Sequence, residues 1–187
     1  LQEWPVDHHG RIRLELLDEL LAPPTAMVSL VWGQGEVGTL QPLLEVAAAC
    51  KERHIPLHTD ATQVLSQGLP SWTTLPVDLL TASAHKCGGP RGIGLLLTRP
   101  ELRSEMPPQL SGGGQEGGLR SGTESAVLAA GMASAFSEIE PCHPSRIARS
   151  GAGIADLRDQ LRDALITDDR LAVCGDPVDR LPHHLSL

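Results

Sequence analysis

The sequence predicts an α/β layer built on a mainly parallel sheet, and three observations predict it. Short apolar runs of strand length recur at 26–32, 55–59, 77–82 and 92–98. A run of helical spacing at 41–53 separates the first two, so strand, helix and strand follow one another. Asp60 and Lys86 fall just past the ends of two of these runs. In parallel sheets, ligands bind beyond the carboxyl ends of the strands.

Taken in order, 12–21 has the helical spacing Leu14, Leu17, Leu20, Leu21, and Pro23-Pro24 ends it. The run 26–32 reads as a buried strand, followed by a glycine turn. The helix at 41–53 opens on Pro42, which suits a first turn, and Leu44, Val46, Ala47 and Ala48 contribute its apolar face. A second strand at 55–59 ends at Asp60, 69–76 is a loop, and 77–82 is a third strand. The run 92–98 follows a tight glycine turn and is expected to double back beside the third strand. A polar glycine loop fills 111–118, an Ala-rich helix is expected over 123–140, and prolines punctuate 141–144. A long helix is expected over 147–165, a short strand at 171–174, and another strand opening at Leu185. The change near 141 divides the chain into 1–141 and 142–187.

Composition excludes several classes. Charged residues at 20% and apolar residues at 41% fit a folded chain rather than a disordered one. A net charge of -8 with no offsetting basic cluster argues against nucleic-acid binding. One Phe, three Trp and no Tyr leave the core to Leu, Val, Ile and Ala and offer no base-stacking surface. No window has the length and apolarity of a membrane span. The four cysteines are scattered without a CxxC pair, and the His8-His9 and His183-His184 pairs lack metal-ligand spacing. Reduced thiols and a cytoplasmic location are therefore expected. The chain begins without Met and stops within an apolar run, which reads as a piece of a longer polypeptide.

The chemistry concentrates in 77–92, Val-Asp-Leu-Leu-Thr-Ala-Ser-Ala-His-Lys-Cys-Gly-Gly-Pro-Arg-Gly. A lysine at the mouth of a buried strand is poorly placed as a surface charge. A partly desolvated amine there is well placed to attack an aldehyde and form a Schiff base. The aldehyde that fits is pyridoxal phosphate. Ser83 and His85 are compact donors for its phosphate, and strand alternation would put both on one side. Asp60 would keep the pyridine nitrogen protonated, and Gln63 would donate to the ring hydroxyl. The plainer alternatives are that Asp60 caps the next turn, Gln63 is solvated, Ser83 is a strand-end hydroxyl and His85 a surface imidazole. Cys87 is expected to pack rather than react, and Cys50 and Cys174 to serve as small hydrophobes.

A competing pattern is Gly33-Gln-Gly35-Glu-Val-Gly38, which matches G-x-G-x-x-G after a strand and before a helix. Asp60 lies at the end of the next strand, completing the terms of a dinucleotide-binding fingerprint and hence of an oxidoreductase. That reading leaves the His85-Lys86 turn and the glycine loop at 112 unexplained.

Three segments together resemble the NifS/IscS-type cysteine desulfurases among the class V, fold-type I pyridoxal-phosphate enzymes. They are His58-Thr-Asp-Ala-Thr-Gln63, Ser83-Ala-His-Lys86 with Gly89-Pro-Arg-Gly-Ile-Gly94, and Gly112-Gly-Gly-Gln-Glu116 with Leu119-Arg-Ser-Gly-Thr-Glu124. The resemblance runs from about residue 5 to 187. It implies the second half of a large cofactor-binding domain over 1–141 and the start of a small α+β domain over 142–187. It implies that Lys86 carries the cofactor and moves the substrate's α-proton. Asp60 would pair with the pyridine nitrogen, Gln63 with the ring hydroxyl, and Ser83 and His85 with the phosphate. Thr123 would reach the phosphate of the other subunit of a homodimer. The implied reaction takes sulfur from L-cysteine, leaves L-alanine, and passes a cysteine persulfide to acceptor proteins for iron–sulfur clusters or thiolated tRNA.

Two departures stand out. The family's Asn-Asn-Glu-x-Gly-Thr segment sets an asparagine against the cofactor, whereas Gln34-Gly-Glu-Val-Gly-Thr39 has Gly35 there. Gln34 or another group would have to compensate. None of the four cysteines takes the place of the family's persulfide-forming residue, whose loop is expected beyond Leu187, so the piece alone is expected to be inactive. The Gly-Gly-Gly-Gln-Glu and Arg-Ser-Gly-Thr-Glu segments are shared with selenocysteine lyases, so a lyase of that kind or another class V enzyme is the same-class alternative. A non-catalytic sulfur-transfer scaffold is the alternative outside catalysis.

Overall fold

The computed structural model describes residues 1–187, apart from the side chain of Ala152. Four strands form one sheet in the order β1 (Val28–Val31), β2 (Leu57–Asp60), β3 (Leu79–Ser83) and β4 (Gly94–Thr98). The first three are parallel, and β4 doubles back antiparallel to β3, with Ser83 opposite Gly94 and Leu79 opposite Thr98. Register aligns Val31 with Asp60 and Asp60 with Thr81, so the carboxyl ends of the parallel strands lie together.

Alternation decides the two faces of this sheet. Val28 and Leu30 of β1, Leu57 and Thr59 of β2, and Leu80 and Ala82 of β3 are buried. Ser29, Val31, His58, Asp60, Thr81 and Ser83 point the other way and stay half-buried or exposed. Parallel sheets ordinarily bury both faces; among the described residues, this one covers one face.

Five helices accompany the sheet: α1 (Leu17–Leu20), α2 (Leu43–Glu52), α3 (Pro100–Arg103), α4 (Ala126–Ser137) and α5 (Ala152–Leu165). The crossover helix α2 buries Leu43, Val46, Ala47, Ala49 and Cys50. Burying apolar side chains of this size is worth roughly 1.5–3 kcal/mol for each of the larger ones. The face is rotated from the expected one, since Ala48 is exposed and Leu44 only half-buried. The predicted helix at 12–21 forms as a 3-10 turn, Leu14–Leu16, running into α1. The helix expected over 147–165 is broken. A 3-10 turn spans Pro144–Arg149, and Gly151 takes a left-handed φ of 62°, which a side chain disfavours, before α5 begins.

The strands expected at 171–174 and from Leu185 do not form. Cys174 donates its backbone N–H to Ser186 at 2.9 Å, and Thr39 forms a lone bridge with Arg180, with no ladder beyond. Short apolar runs become strands only where a partner strand satisfies their backbone groups. This segment instead packs on the loop after β1. Leu181 is 0% exposed and belongs to the same core cluster as β1–β3 and α2, as does Ile147.

Candidate active site

Asp60 closes β2. Its Oδ1 accepts the backbone N–H of Thr62 at 2.8 Å, so the plainer alternative of a capped turn is realised. That bond orients the carboxylate and leaves its second oxygen without a hydrogen bond among the described residues. Ser83 closes β3, and Ala84–Lys86 follow at once as a 3-10 turn. The turn is short because Ala84 is fully buried, and its carbonyl accepts from the N–H groups of Cys87 and Gly89, each at 2.9 Å. The helix α4 packs over it: a Cβ on Gly131 would meet Pro90 at 3.1 Å, and one on Gly89 would meet Ala135 at 3.3 Å.

Two expectations about this turn need correcting. Strand alternation does not carry through to His85, because the chain has already left the strand at Ala84. Lys86 is exposed rather than partly desolvated. It makes no ion pair among the described residues.

Gln63 lies three residues past Asp60, and only its backbone carbonyl is bonded, by Ser66 Oγ at 3.4 Å. Its amide reaches across to the loop after β1: a Cβ built on Gly35 would stand 2.8 Å from Gln63 Nε2. The loop therefore joins Asp60, Gln63, Ser83 and the Lys86 turn at one end of the sheet. Thr123 is exposed in the segment that leads into α4, whose N-cap is Ser125.

The loop does not behave as a dinucleotide cradle. Such a cradle keeps its backbone N–H groups free for a pyrophosphate at the start of a helix. Here Gln34 Oε1 accepts from the N–H groups of Glu36 and Val37, the carbonyl of Gln34 accepts from Gly38 at 2.9 Å, and α2 starts only at Leu43. The C-terminal segment covers the loop. Leu181 donates its N–H to the Gly38 carbonyl at 2.8 Å, Arg180 reaches the Val37 carbonyl at 3.3 Å, and His184 Nε2 meets the Gly35 carbonyl at 2.8 Å. Gly38, at φ 83°, lies against the His184 ring, where a Cβ would fall 2.8 Å from Nδ1.

Polar groups on the open face form a ladder that the sequence did not announce. His58 Nδ1 lies 2.8 Å from Ser29 Oγ and its Nε2 3.1 Å from Thr81 Oγ1, spanning three strands. Burial pushes the His58 pKa below its usual value, and the nearby Asp60 carboxylate partly opposes this. Such a contact needs the strand register, which the sequence does not display.

The cysteines divide. Burial pushes the Cys50 thiol up to about 11, with Asp78 adding to the effect, and burial raises that of Cys87. Both are therefore protonated packing groups rather than nucleophiles. Cys174 is exposed rather than an apolar strand residue, and Cys142 is half-buried. Two open grooves lie elsewhere, one along Leu21, Pro24 and Arg53, the other along Cys50, Leu75 and Arg99. Both miss Asp60, Gln63 and Lys86, whose site is an open sheet end rather than a closed cavity. No described helix is long and apolar enough to cross a membrane.

Comparison with known proteins agrees with this architecture. The mitochondrial cysteine desulfurase of Saccharomyces cerevisiae is 37% identical over 177 residues, covering 95% of this chain and 35% of that protein. The cysteine desulfurase IscS of Methylococcus capsulatus is 33% identical, covering 96% of this chain and 43% of that protein. The solved NifS-like protein from Rickettsia africae superposes with a TM-score of 0.83 at 30% identity, over 96% of this chain and 49% of its own. DndA from Streptomyces lividans gives a TM-score of 0.78 at 35% identity, covering 95% of this chain and 49% of its own. The chain thus spans between a third and a half of the length of these relatives, and it shares the fold-type I architecture of the NifS-like proteins. With residues 1–186 matching the family description "Aminotransferase class-V", the chain belongs to the class V aminotransferase family of pyridoxal-phosphate enzymes.

Proposed function

We propose that this chain is the cofactor-carrying part of a pyridoxal-phosphate-dependent cysteine desulfurase, which takes sulfur from L-cysteine and leaves L-alanine. The observation that carries the reading is the convergence of Asp60, Gln63, Ser83 and the Lys86 turn at the carboxyl end of three parallel strands. The donor set fits the cofactor. One Asp60 oxygen is free for a pyridine N–H, the Gln63 amide is free for a ring hydroxyl, and Ser83 and His85 offer donors for a phosphate. Lys86 offers an unpaired amine for covalent attachment.

Pyridoxal phosphate supplies an electron sink beside the carbon that carries the substrate's amino group. The remaining roles fall to the protein. Asp60, oriented by the Thr62 N–H, would pair with the ring nitrogen and favour its protonated form. Gln63 would donate to the ring hydroxyl, and Ser83 and His85 would hold the phosphate. Lys86 would hold the cofactor through its amine and would be the base that moves the proton at the substrate's α-carbon. Thr123, exposed, suits a contact to the phosphate held by a second copy in a homodimer. Neither Cys50 nor Cys87 suits sulfur transfer, being buried and protonated. The persulfide-forming thiol and the docking of acceptor proteins are assigned to parts outside this chain. In this reading 1–141 belong to the large domain and 142–187 open the small one, in a cytoplasmic setting that keeps the thiols reduced.

The test is a chimera in which this chain replaces the matching residues of the yeast enzyme. Formation of alanine from L-cysteine, lost on Lys86→Ala, is expected. A folded chimera that binds pyridoxal phosphate yet forms no alanine contradicts the proposal. Turnover of selenocysteine alone favours the lyase alternative.

A further inference from the structure

Two of the groups assigned to the cofactor sit on neighbouring strands. Asp60, for the ring nitrogen, ends β2, and Ser83, for the phosphate, ends β3. In pyridoxal phosphate one flat ring and a short arm separate the nitrogen from the phosphate, so the cofactor meets both groups at one spacing of the strand ends. The backbone fixes that spacing weakly. Three registered pairs join β2 to β3, and the last is Asp60 with Thr81. Ser83 lies two residues beyond that pair, opposite Gly94 of β4.

A side-chain tie crosses these strands just below the site. Alternation puts Ser29, His58, Asp60, Thr81 and Ser83 on the same open face. His58 Nδ1 lies 2.8 Å from Oγ of Ser29, its register partner on β1. Its register partner on β3 is Leu79, so Nε2 reaches diagonally toward the site to meet Thr81 Oγ1 at 3.1 Å. Thr81 is opposite Asp60 and two residues before Ser83. A neutral imidazole has one donor and one acceptor nitrogen, and a hydroxyl serves as either, so both contacts are satisfied in either tautomer. Neither hydroxyl has another hydrogen bond among the described residues. The opposite face of the same strands is held in the core by Leu30, Leu57 and Leu80, so association of the strands does not depend on the tie.

We propose that His58 is a positioning residue for the cofactor: by bonding Ser29 and Thr81 together it holds β1, β2 and β3 at a fixed lateral spacing, and so sets the separation of Asp60 from Ser83. The inference rests on the pyridoxal-phosphate reading above. His58 acts through Thr81 and not by contact with the cofactor. Its loss therefore weakens a molecule that must span Asp60 and Ser83 more than one that meets Asp60 alone.

The test measures the half-saturating concentration for label on Lys86, trapped with borohydride and counted by peptide mass. It is run at about pH 7.5, above the usual histidine range, where the ring is neutral. Two probes are compared: pyridoxal phosphate, and pyridoxal, which lacks the phosphate. Urea unfolding is followed in parallel. Thr81→Val keeps a strand-compatible shape and removes the Nε2 contact, so the urea midpoint should stay close to that of the unaltered chain. Half-saturation by pyridoxal phosphate should rise about fivefold, the worth of one hydrogen bond, while that by pyridoxal stays in place. His58→Leu, which removes both contacts, should raise it at least as far. His58→Gln, which keeps a donor and an acceptor, should recover part of the loss. Adding Thr81→Val to His58→Leu should change nothing further, because that contact is already gone. An equal rise for both probes, as general loosening of the fold would give, overturns the inference and leaves the proposed function standing. So does an unchanged half-saturation in both Thr81→Val and His58→Leu. Absence of Lys86 label in the unaltered, folded chain overturns the proposed function itself, and this inference with it.

Discussion

Removing the side chain of Leu181 tests how the C-terminal segment is joined to the rest of the molecule. Leu181 is 0% exposed, and its Cδ2 lies 3.0 Å from the Cβ position of Gly33, beside Val64. Its N–H also holds the Gly38 carbonyl. Leu→Ala at a buried site costs about 2–5 kcal/mol, more where the surroundings cannot collapse. Here Val64 is pinned in the turn after β2, its N–H bonded to the Ala61 carbonyl at 2.9 Å, and Gly33 has no side chain to move into the gap. About 3 kcal/mol is the expected loss, within a total that is about 5–15 kcal/mol for a typical domain. With a urea dependence of about 2 kcal/mol per molar, the unfolding midpoint should fall by about 1.5 M. Val178→Ala in the same segment, at a residue 77% exposed, should leave it unchanged. Equal midpoints for Leu181→Ala and the unaltered chain would refute the packing of this segment on the β1 loop.

Three further outcomes follow from particular contacts. Gly33→Ala forces a methyl against Val64 and Leu181, and overpacking of this kind should cost about 1–3 kcal/mol, read as a lower urea midpoint; an unchanged midpoint would mean the loop is free to move. His58 is held below its usual pKa by burial, so between about pH 6.5 and its folded pKa the unfolded chain binds the proton more readily. Its contribution is complete above about pH 6.5 and is lost as the pH falls, so the drop in midpoint from about pH 7.5 to about pH 5.5 should shrink in His58→Gln, and an unchanged drop would contradict the assignment. Arg180 is 3% exposed, has no carboxylate partner among the described residues, and donates to the carbonyls of Val37 and Cys174 at 3.3 and 3.2 Å. Arg180→Met removes an unpaired buried charge and should destabilise less than Arg180→Lys, which keeps the charge and loses the fork; the reverse order in urea would refute this.

The sequence made the strands and the crossover helix legible because each is a local pattern. Val28–Val31, Leu57–Asp60 and Leu79–Ser83 are apolar runs bounded by turn residues, and the doubling back at Gly94–Thr98 followed from the glycines between 88 and 92. Asp60, Ser83 and Lys86 were legible for the same reason, as polar residues at the ends of those runs. The failures occurred where the answer depends on distant residues. The run 171–174 lacks a neighbouring strand, so its apolar character yields no ladder. The break in the 147–165 helix turned on a single left-handed glycine, Gly151. The Ser29–His58–Thr81 ladder and the meeting of Gln63 and His184 at Gly35 depend on strand register and on a contact spanning 149 residues. The exposure of Lys86 is a property of packing rather than of the motif.

The central claim, that the Lys86 turn with Asp60 and Gln63 forms a pyridoxal-phosphate site, is tested most directly by reductive labelling. The folded chain is mixed with substoichiometric pyridoxal phosphate, reduced with borohydride, and mapped by mass, with Lys86→Ala alongside. Label confined to Lys86 and absent from the variant is the predicted result. Label on Lys51 as readily as on Lys86, or no label in a chain shown to be folded, would contradict it.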